Sequence, residues 1–315
     1  MPVRASEPGA QGDAGEPAGP AAPGAPTKLT LSSQGSLEPA LAALREGSGE
    51  QCLSDFVFSN LYLFREAHDY RYQSVGPGSP RPAVSGLAYD GTRHLMPLFD
   101  LAEAPVAELR TLLQGHDCFY PVASAVTARL DPARFALTQS ADDADYLYAA
   151  SSFADYPGRA LAKKRNQLRQ FLAAHAPSSQ PFGADVAEAA QAVLQGWMQH
   201  KGKAAGEADE AACQEAIAHA ERFRLEGFVH FAGGSSIGFV LAQALQPGVF
   251  VMRFAKGLDS HVGIYPYMFQ HFCRNFPRPV QWLNFEQDMG LPGFRRSKQS
   301  YQPAALLPKW RVRLR

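Results

Sequence analysis

Phe228-Val229-His230-Phe231-Ala232, Gly233-Gly234-Ser235-Ser236 and Ile237-Gly238-Phe239-Val240-Leu241-Ala242-Gln243-Ala244 read in succession as strand, tight turn and strand. Pro247-Gly248 supplies the next turn, and Val249-Phe250-Val251-Met252-Arg253-Phe254 reads as a third strand. Upstream of this meander, 185–200 and 207–224 have helical character. Downstream come a helix at 265–275, a strand at 280–285, an irregular Gly/Pro stretch and a last strand near 304–307. The first half repeats that order more loosely. It has a helix at 37–45, strands at 71–75, 82–89 and 92–99, a helix at 104–113, and strands at 118–122 and 144–149. The aromatic-dense run Ser54-Asp55-Phe56-Val57-Phe58-Ser59-Asn60-Leu61-Tyr62-Leu63-Phe64 must be largely buried. A helix over 156–175 bridges the halves. Periodicity alone predicts a mixed α+β protein.

At 315 residues the chain is long enough for about two domains, and 46% hydrophobic with 19% charged residues is the balance of a globular core. Lysine plus arginine and aspartate plus glutamate each total 30. This neutrality excludes a protein that holds nucleic acid by bulk charge, so RNA or anionic lipid must be met by a local patch. The four cysteines, Cys52, Cys118, Cys213 and Cys273, form no CxxC pair and read as reduced, mostly buried thiols. The nine histidines show no HExxH or other ligand spacing, so no metal is expected. His261 reads as a polar loop residue ahead of the 265–275 helix. No apolar run is long enough to span a bilayer and no signal peptide is visible, so a cytoplasmic protein without an integral membrane segment is expected. Residues 1–33 are Ala, Pro, Gly and Glu with almost no aliphatic bulk, which predicts a disordered tail.

The second half has the element order of the N-acetyltransferase (GNAT) fold. Three stretches carry a closer likeness. Gly158-Arg159-Ala160-Leu161-Ala162-Lys163-Lys164-Arg165-Asn166-Gln167-Leu168-Arg169-Gln170-Phe171 is similar to the Lys-Arg-Asn helix between the lobes of the phosphatidylglycerol lysyltransferase C-terminal-domain family. Asn284-Phe285-Glu286-Gln287-Asp288-Met289-Gly290-Leu291-Pro292-Gly293-Phe294-Arg295-Arg296-Ser297-Lys298-Gln299-Ser300-Tyr301-Gln302-Pro303 resembles its signature, and Ser59-Asn60-Leu61-Tyr62-Leu63 its first-lobe Asn-Leu segment. The resemblance implies two tandem GNAT-like lobes, each a mixed, mostly antiparallel sheet flanked by helices, sharing a tunnel. The expected boundaries are tail 1–33, first lobe 34–155, bridging basic helix 156–178 and second lobe 179–315. It further implies an acyltransferase taking an aminoacyl group from aminoacyl-tRNA to a lipid-headgroup or small-molecule acceptor, with no cofactor. Two departures stand out. Lipid-modifying members carry a membrane domain ahead of this region, and a His-x-Glu-Lys-Ala strand end is here Met252-Arg253-Phe254-Ala255-Lys256.

An aminoacyl ester is already activated, so the enzyme must position it, deprotonate a nucleophile and stabilise an oxyanion. Glu286 and Asp288 end an apolar strand, where alternation puts both on one face if the strand persists. One of them can accept the nucleophile's proton. The alternative is a strand-end carboxylate that caps the turn or pairs with Arg295 or Arg296. Lys298 and Tyr301 are the expected oxyanion and leaving-group donors, against a solvated surface lysine. Arg295, Arg296, Lys256, Asn166, Lys164, Arg165 and Arg169 are expected to bind substrate. Arg165 and Arg169, four residues apart, share a face suited to phosphates, against a merely solvated helix face, and Asn166 is expected to bond the neighbouring lobe. Two further readings stay open. An acyl-CoA-dependent N-acyltransferase needs a Gly-rich pyrophosphate loop, whereas Phe254-Ala255-Lys256-Gly257-Leu258-Asp259-Ser260-His261-Val262-Gly263 has few glycines and an intervening acid. A non-catalytic tandem-GNAT ligand-binding protein is the other.

Overall fold

Gly233 and Gly234 sit at φ +57° and +81°, the left-handed geometry a two-residue hairpin turn requires. That turn sets the register on which one half of the molecule is built. The computed structural model describes residues 25–75, 81–203 and 209–315. The elements run β1 (Thr27–Lys28), α1 (Gln34–Ser48), α2 (Phe58–Leu63), β2 (Arg71–Val75), β3 (Arg81–Leu87), β4 (Arg93–Pro97), α3 (Val106–Leu112) and β5 (Cys118–Val122). Then come α4 (Ser124–Thr127), β6 (Phe135–Gln139), β7 (Asp145–Ala149), α5 (Ala150–Asp155), α6 (Ala162–Ala174) and β8 (Ser178–Pro181). After α7 (Ala187–His200), α8 (Glu210–Ala218) and α9 (Ala220–Phe223), β9 (Leu225–Ala232), β10 (Ser235–Gln246) and β11 (Val249–Gly257) form the meander. α10 (Ile264–Asn275), β12 (Trp282–Asn284), α11 (Pro292–Gln299), β13 (Ala305–Leu307) and β14 (Trp310–Leu314) complete the chain.

Two seven-stranded sheets result, in the orders β1-β2-β3-β4-β5-β14-β6 and β13-β7-β12-β11-β10-β9-β8. Each is mostly antiparallel with one parallel pair, β4·β5 and β11·β12, and helices flank both. The class is α+β with tandem GNAT-like lobes. The lobes are not consecutive pieces of chain, however. β7, expected in the first lobe, lies between β12 and β13 of the second sheet; β14, from the far end, lies between β5 and β6 of the first. A division at 155–156 therefore cuts through both sheets.

The cores merge as well. Leu37, Phe58 and Leu61 from the first half share one buried cluster with Val193, Phe223, Leu225 and Val251 from the second. α7 shows how sequence produces this: Ala190, Val193, Leu194 and Met198 recur at helical spacing and are its buried side. All six residues of α2 are buried, as the aromatic density requires. Other expectations need correction. The presumed tail ends early, because Thr27 and Lys28 pair with Tyr72 and Arg71 and Leu29 enters the core; residues 1–24 lie outside the described residues. The 156–175 helix begins at Ala162, after a left-handed Tyr156. The stretch 207–224 is two helices, its first two residues lying outside the described ones. β6, β14 and α11 were not anticipated.

Lys309, in the link between β13 and β14, is fully buried and ties the halves together. Its ammonium lies 2.7 Å from Asp55 Oδ2 and 2.9 Å from Asp145 Oδ1, and it donates to Gln287 Oε1. Lys309→Ala strands two buried carboxylates without a cation. The expected loss is about 3–5 kcal/mol in urea unfolding, set by uncompensated charge rather than lost contacts. A loss below about 1 kcal/mol would show that the ion cluster does not hold the lobes together.

Candidate functional site

β11 and β12 pair in parallel over three residues, Val249↔Trp282, Phe250↔Leu283 and Val251↔Asn284, and then part. β11 continues to Gly257, while the chain after Asn284 swings to Tyr146, exchanging Phe285 N–H to Tyr146 O at 2.9 Å and Tyr146 N–H to Glu286 O at 3.2 Å. The expected site residue Glu286 stands at this divergence. Its backbone is left-handed, φ +57°, which a side chain with a Cβ adopts only when its surroundings enforce it. The enforcement is visible. Glu286 N–H donates to Asn284 Oδ1 at 2.8 Å, and Lys298 Nζ donates to the carbonyls of Phe285, Glu286 and Gln287 at 2.6, 3.0 and 2.5 Å.

The Glu286 carboxylate is asymmetric. Oε1 accepts from Arg253 Nη1, whereas Oε2 accepts from no described residue, and 23% of the side chain stays accessible. Burial raises its pKa above the usual glutamate value, opposed by the positive charges of Arg253 and Lys298. Arg253 is itself fully buried, donating to Asn60 Oδ1 at 2.6 Å and Ser54 O at 3.2 Å, with no partner for its Nε. One carboxylate oxygen is thus anchored and the other left open.

Asp288 does something else. The strand ends at Asn284, so the expected alternation does not extend to Glu286 and Asp288. Asp288 is fully buried and accepts from Tyr146 Oη at 2.7 Å, Gly290 N–H at 2.9 Å, and Arg295 Nε and Nη2 at 2.8 and 2.9 Å. Burial alone would raise its carboxyl. The bonds from Arg295, Tyr146 and Gly290 outweigh that and hold it at about 2. This corrects the catalytic expectation: Asp288 with Arg295 caps the turn that carries Glu286. Arg295, which also pairs with Asp142 at 2.5 Å, is accordingly a structural cation.

Lys298 is corrected likewise. All three of its N–H donors are on carbonyls, leaving none for an oxyanion; burial lowers its pKa to about 8 despite the Glu286 charge. Tyr301 is packed among Phe153, Tyr156 and Phe269, and burial keeps its phenol protonated. Lys164 projects from α6 over that ring, 3.7 Å from its centroid, and burial lowers its pKa to about 8. Arg165 does not share a phosphate face with Arg169, because its guanidinium caps the carbonyls of Tyr156 and Gly158. Asn166 bonds Arg169 on its own helix and not the other lobe. Lys256 is held by both oxygens of Asp209, at 2.6 and 2.9 Å, with Trp197 beneath it. Arg296 is exposed. His261 stacks near His175, centroids 4.8 Å apart.

Arg253, Asn60, Asn284, Ser54, Asp55, Asp145 and Lys309 were missed as site components. A signal existed for Arg253, a charge inside the apolar run Val249–Phe254. Among the described residues no group of three or more His, Cys, Asp and Glu is placed for a metal, and no helix is long and apolar enough to cross a membrane.

The model of the family described as phosphatidylglycerol lysyltransferase, C-terminal, matches residues 50–313. The chain belongs to that family. Membership places it among acyltransferases. A conserved protein of unknown function from Bacteroides thetaiotaomicron superposes with TM-score 0.74 at 23% identity, over 93% of this chain and 100% of that one. The C-terminal domain of a putative lysylphosphatidylglycerol synthetase from Agrobacterium fabrum superposes at 0.58 with 12% identity, over 89% and 92%. L-PGS from Bacillus licheniformis superposes at 0.51 with 14% identity, over 81% and 91%. These likenesses establish the shared fold. No curated protein matches the chain.

The depressed Asp288 carboxyl yields a pH signature. Its stabilising effect is complete above the unfolded value of about 4 and disappears as pH falls through its folded value of about 2. Asp288→Asn should therefore lower the melting temperature at pH 7, with the difference from the parent shrinking as pH falls from about 4 toward 2. A constant difference over that window would contradict the ion-paired role.

Proposed function

We propose that this protein transfers an aminoacyl group from aminoacyl-tRNA to an amine or hydroxyl of a small-molecule or lipid-headgroup acceptor, with Glu286 as general base. The observation that carries the reading is Oε2 of Glu286, without a partner among the described residues on a side chain that is 23% accessible, while Arg253 fixes Oε1. In the step, the acceptor's nitrogen or oxygen attacks the ester carbonyl and its proton passes to Oε2. The tetrahedral intermediate then collapses, releasing the ribose hydroxyl of the tRNA. Burial keeps the Tyr301 phenol protonated, and in this reading it is the donor to the leaving oxygen.

Support for a polyanionic donor comes from α6. Lys163, Lys164, Arg165 and Arg169 lie on a helix without an acid and form no ion pair among the described residues; with Arg165 on backbone carbonyls and Lys164 over the Tyr301 ring, the exposed Lys163 and Arg169 are the two open to a phosphate. In a chain of zero net charge that is a local excess of the kind phosphates seek. The acyl-CoA reading is disfavoured by a steric observation. Gly263, at φ +98°, opens α10, and a Cβ there would lie 2.4 Å from Gln167 O and 2.9 Å from Phe171 Cβ. α6 thus packs directly against the residue that opens α10, the helix end where a pyrophosphate would be cradled.

Radiolabelled aminoacyl-tRNA pools incubated with the protein and cell extract should give a labelled product. Glu286→Gln should lower the rate by about 10²–10⁴. The rate should rise with pH through a midpoint above the ordinary glutamate value, since only ionised Glu286 accepts the proton. It should fall again near pH 8, where Lys298 loses the charge that braces the Glu286 loop. Lys298→Arg should move only the upper limb, to higher pH. Absence of transfer from every amino-acid class, or full activity in Glu286→Gln, would refute the assignment and favour a ligand-binding role.

A further inference from the structure

A groove of about 460 Å³ lies in the first lobe, away from Glu286 and its loop. One wall is the face of α1 that carries Ala40, Ala43, Leu44 and Gly47, spaced i, i+3, i+4 and i+7. Three of those four side chains are a methyl or nothing, so the wall leaves the space unfilled. The floor is Phe56, Pro97, Leu98, Pro121, Val122 and Ala123, where β4 and β5 part after pairing at His94↔Cys118 and Leu95↔Phe119. The two prolines have no N–H, which removes two donors from this floor. Ala125 and Val126 of α4 form the opposite wall. The space is about three times the roughly 150 Å³ engineered cavity that accommodates benzene, and it falls in the range of ligand pockets.

The rim is polar at one place. Asp100 Oδ1 accepts from Ala102 N–H at 3.0 Å, and its Oδ2 accepts from Arg129 Nη2 at 2.5 Å. Arg129 Nε donates to Ala125 O at 3.4 Å, and Nη1 has no partner among the described residues. Asp100 is thus already bonded through both oxygens, whereas the guanidinium keeps an open edge above an apolar slot. Such a combination suits an acid with a hydrocarbon tail.

We propose that this groove binds a fatty-acid-like amphiphile, its acyl chain between α1 and α4 and its carboxylate on Arg129. The site is separate from the aminoacyl-transfer site and does not depend on that activity. Titration calorimetry of the full chain with laurate, dodecanol and dodecylamine tests it. Laurate should bind saturably, one per chain, and more tightly than the other two. Ala43→Trp and Ala125→Trp fill the groove from opposite walls at exposed positions. Each should weaken laurate at least tenfold while circular dichroism stays unchanged; if one variant fails to fold, the other decides. Arg129→Ala should remove the preference for laurate over dodecanol. No saturable laurate binding, equal binding in a folded groove-filled variant, stronger binding of dodecylamine, or a preference for laurate that survives Arg129→Ala would each overturn the proposal. So would light scattering that shows a dimer in which laurate competes with association.

Discussion

Everything in the second-lobe site rests on a cation that solvent does not reach. Burial by itself would push Lys309 toward neutrality, yet Asp145 and Asp55 keep it charged well above the ordinary lysine value. Asp145, likewise buried, stays ionised because Lys309, the Ser54 N–H and Asn284 compensate its desolvation. Such a cluster contributes little net stability relative to an apolar core, but removing one member is severe. Its effect is therefore mainly to specify one arrangement. Asp55 comes from the first half, Asp145 begins the exchanged strand β7, and Lys309 precedes the exchanged strand β14. Only the interleaved topology brings all three together.

The same network reaches the candidate base in two steps. Asn284 Nδ2 donates to Asp145 Oδ2 at 2.9 Å, and Asn284 Oδ1 accepts from Glu286 N–H at 2.8 Å. Ser54 links the other side: its N–H donates to Asp145 at 2.7 Å and its carbonyl accepts from Arg253. The Glu286 backbone and the guanidinium on its carboxylate are thus set by one buried polar cluster. A polar network of this kind is rigid only when its members are satisfied. Here Arg253 Nε, inside the cluster, and Glu286 Oε2, on its partly accessible side, are left without a hydrogen-bond partner among the described residues.

What could be read from sequence follows from how local each signal is. The meander β9–β11 was legible because Gly233-Gly234 and Pro247-Gly248 dictate their turns within a few residues. The exchange of β7 and β14 was not, because β14 pairs with strands more than 170 residues earlier and no local pattern encodes that choice. Helix α11 was read as irregular because Gly290, Pro292 and Gly293 look like breakers. Yet Pro292 occupies the first helical turn, where its missing N–H has no partner to lose, so the punctuation marked a start. The C-terminal motif named the residues of the Glu286 loop but not their division of labour. Glu286, Asp288, Arg295 and Lys298 are equally prominent in sequence, and only the left-handed turn at Glu286 separates the open carboxylate from the closed one. Arg253 was overlooked because a charged residue in an apolar strand is usually placed at an edge, and Lys309 because a lysine between strands is usually solvated, whereas both are buried.

That division of labour explains why so many charged side chains surround one glutamate. A residue with a Cβ at positive φ sits in a state disfavoured by about 1–3 kcal/mol, and it persists only if the flanking chain is over-determined. Lys298 bonds three successive carbonyls around Glu286, and Asp288 with Arg295 and Tyr146 closes the turn that follows. Without those clamps the chain could relax toward extended geometry, and the carboxylate would rotate off Arg253. The cations near the site are thus occupied in holding a backbone, and the electrostatic consequence for Glu286 is secondary but useful. Burial raises its basicity while Arg253 and Lys298 restrain the rise, leaving a carboxylate more basic than one in water.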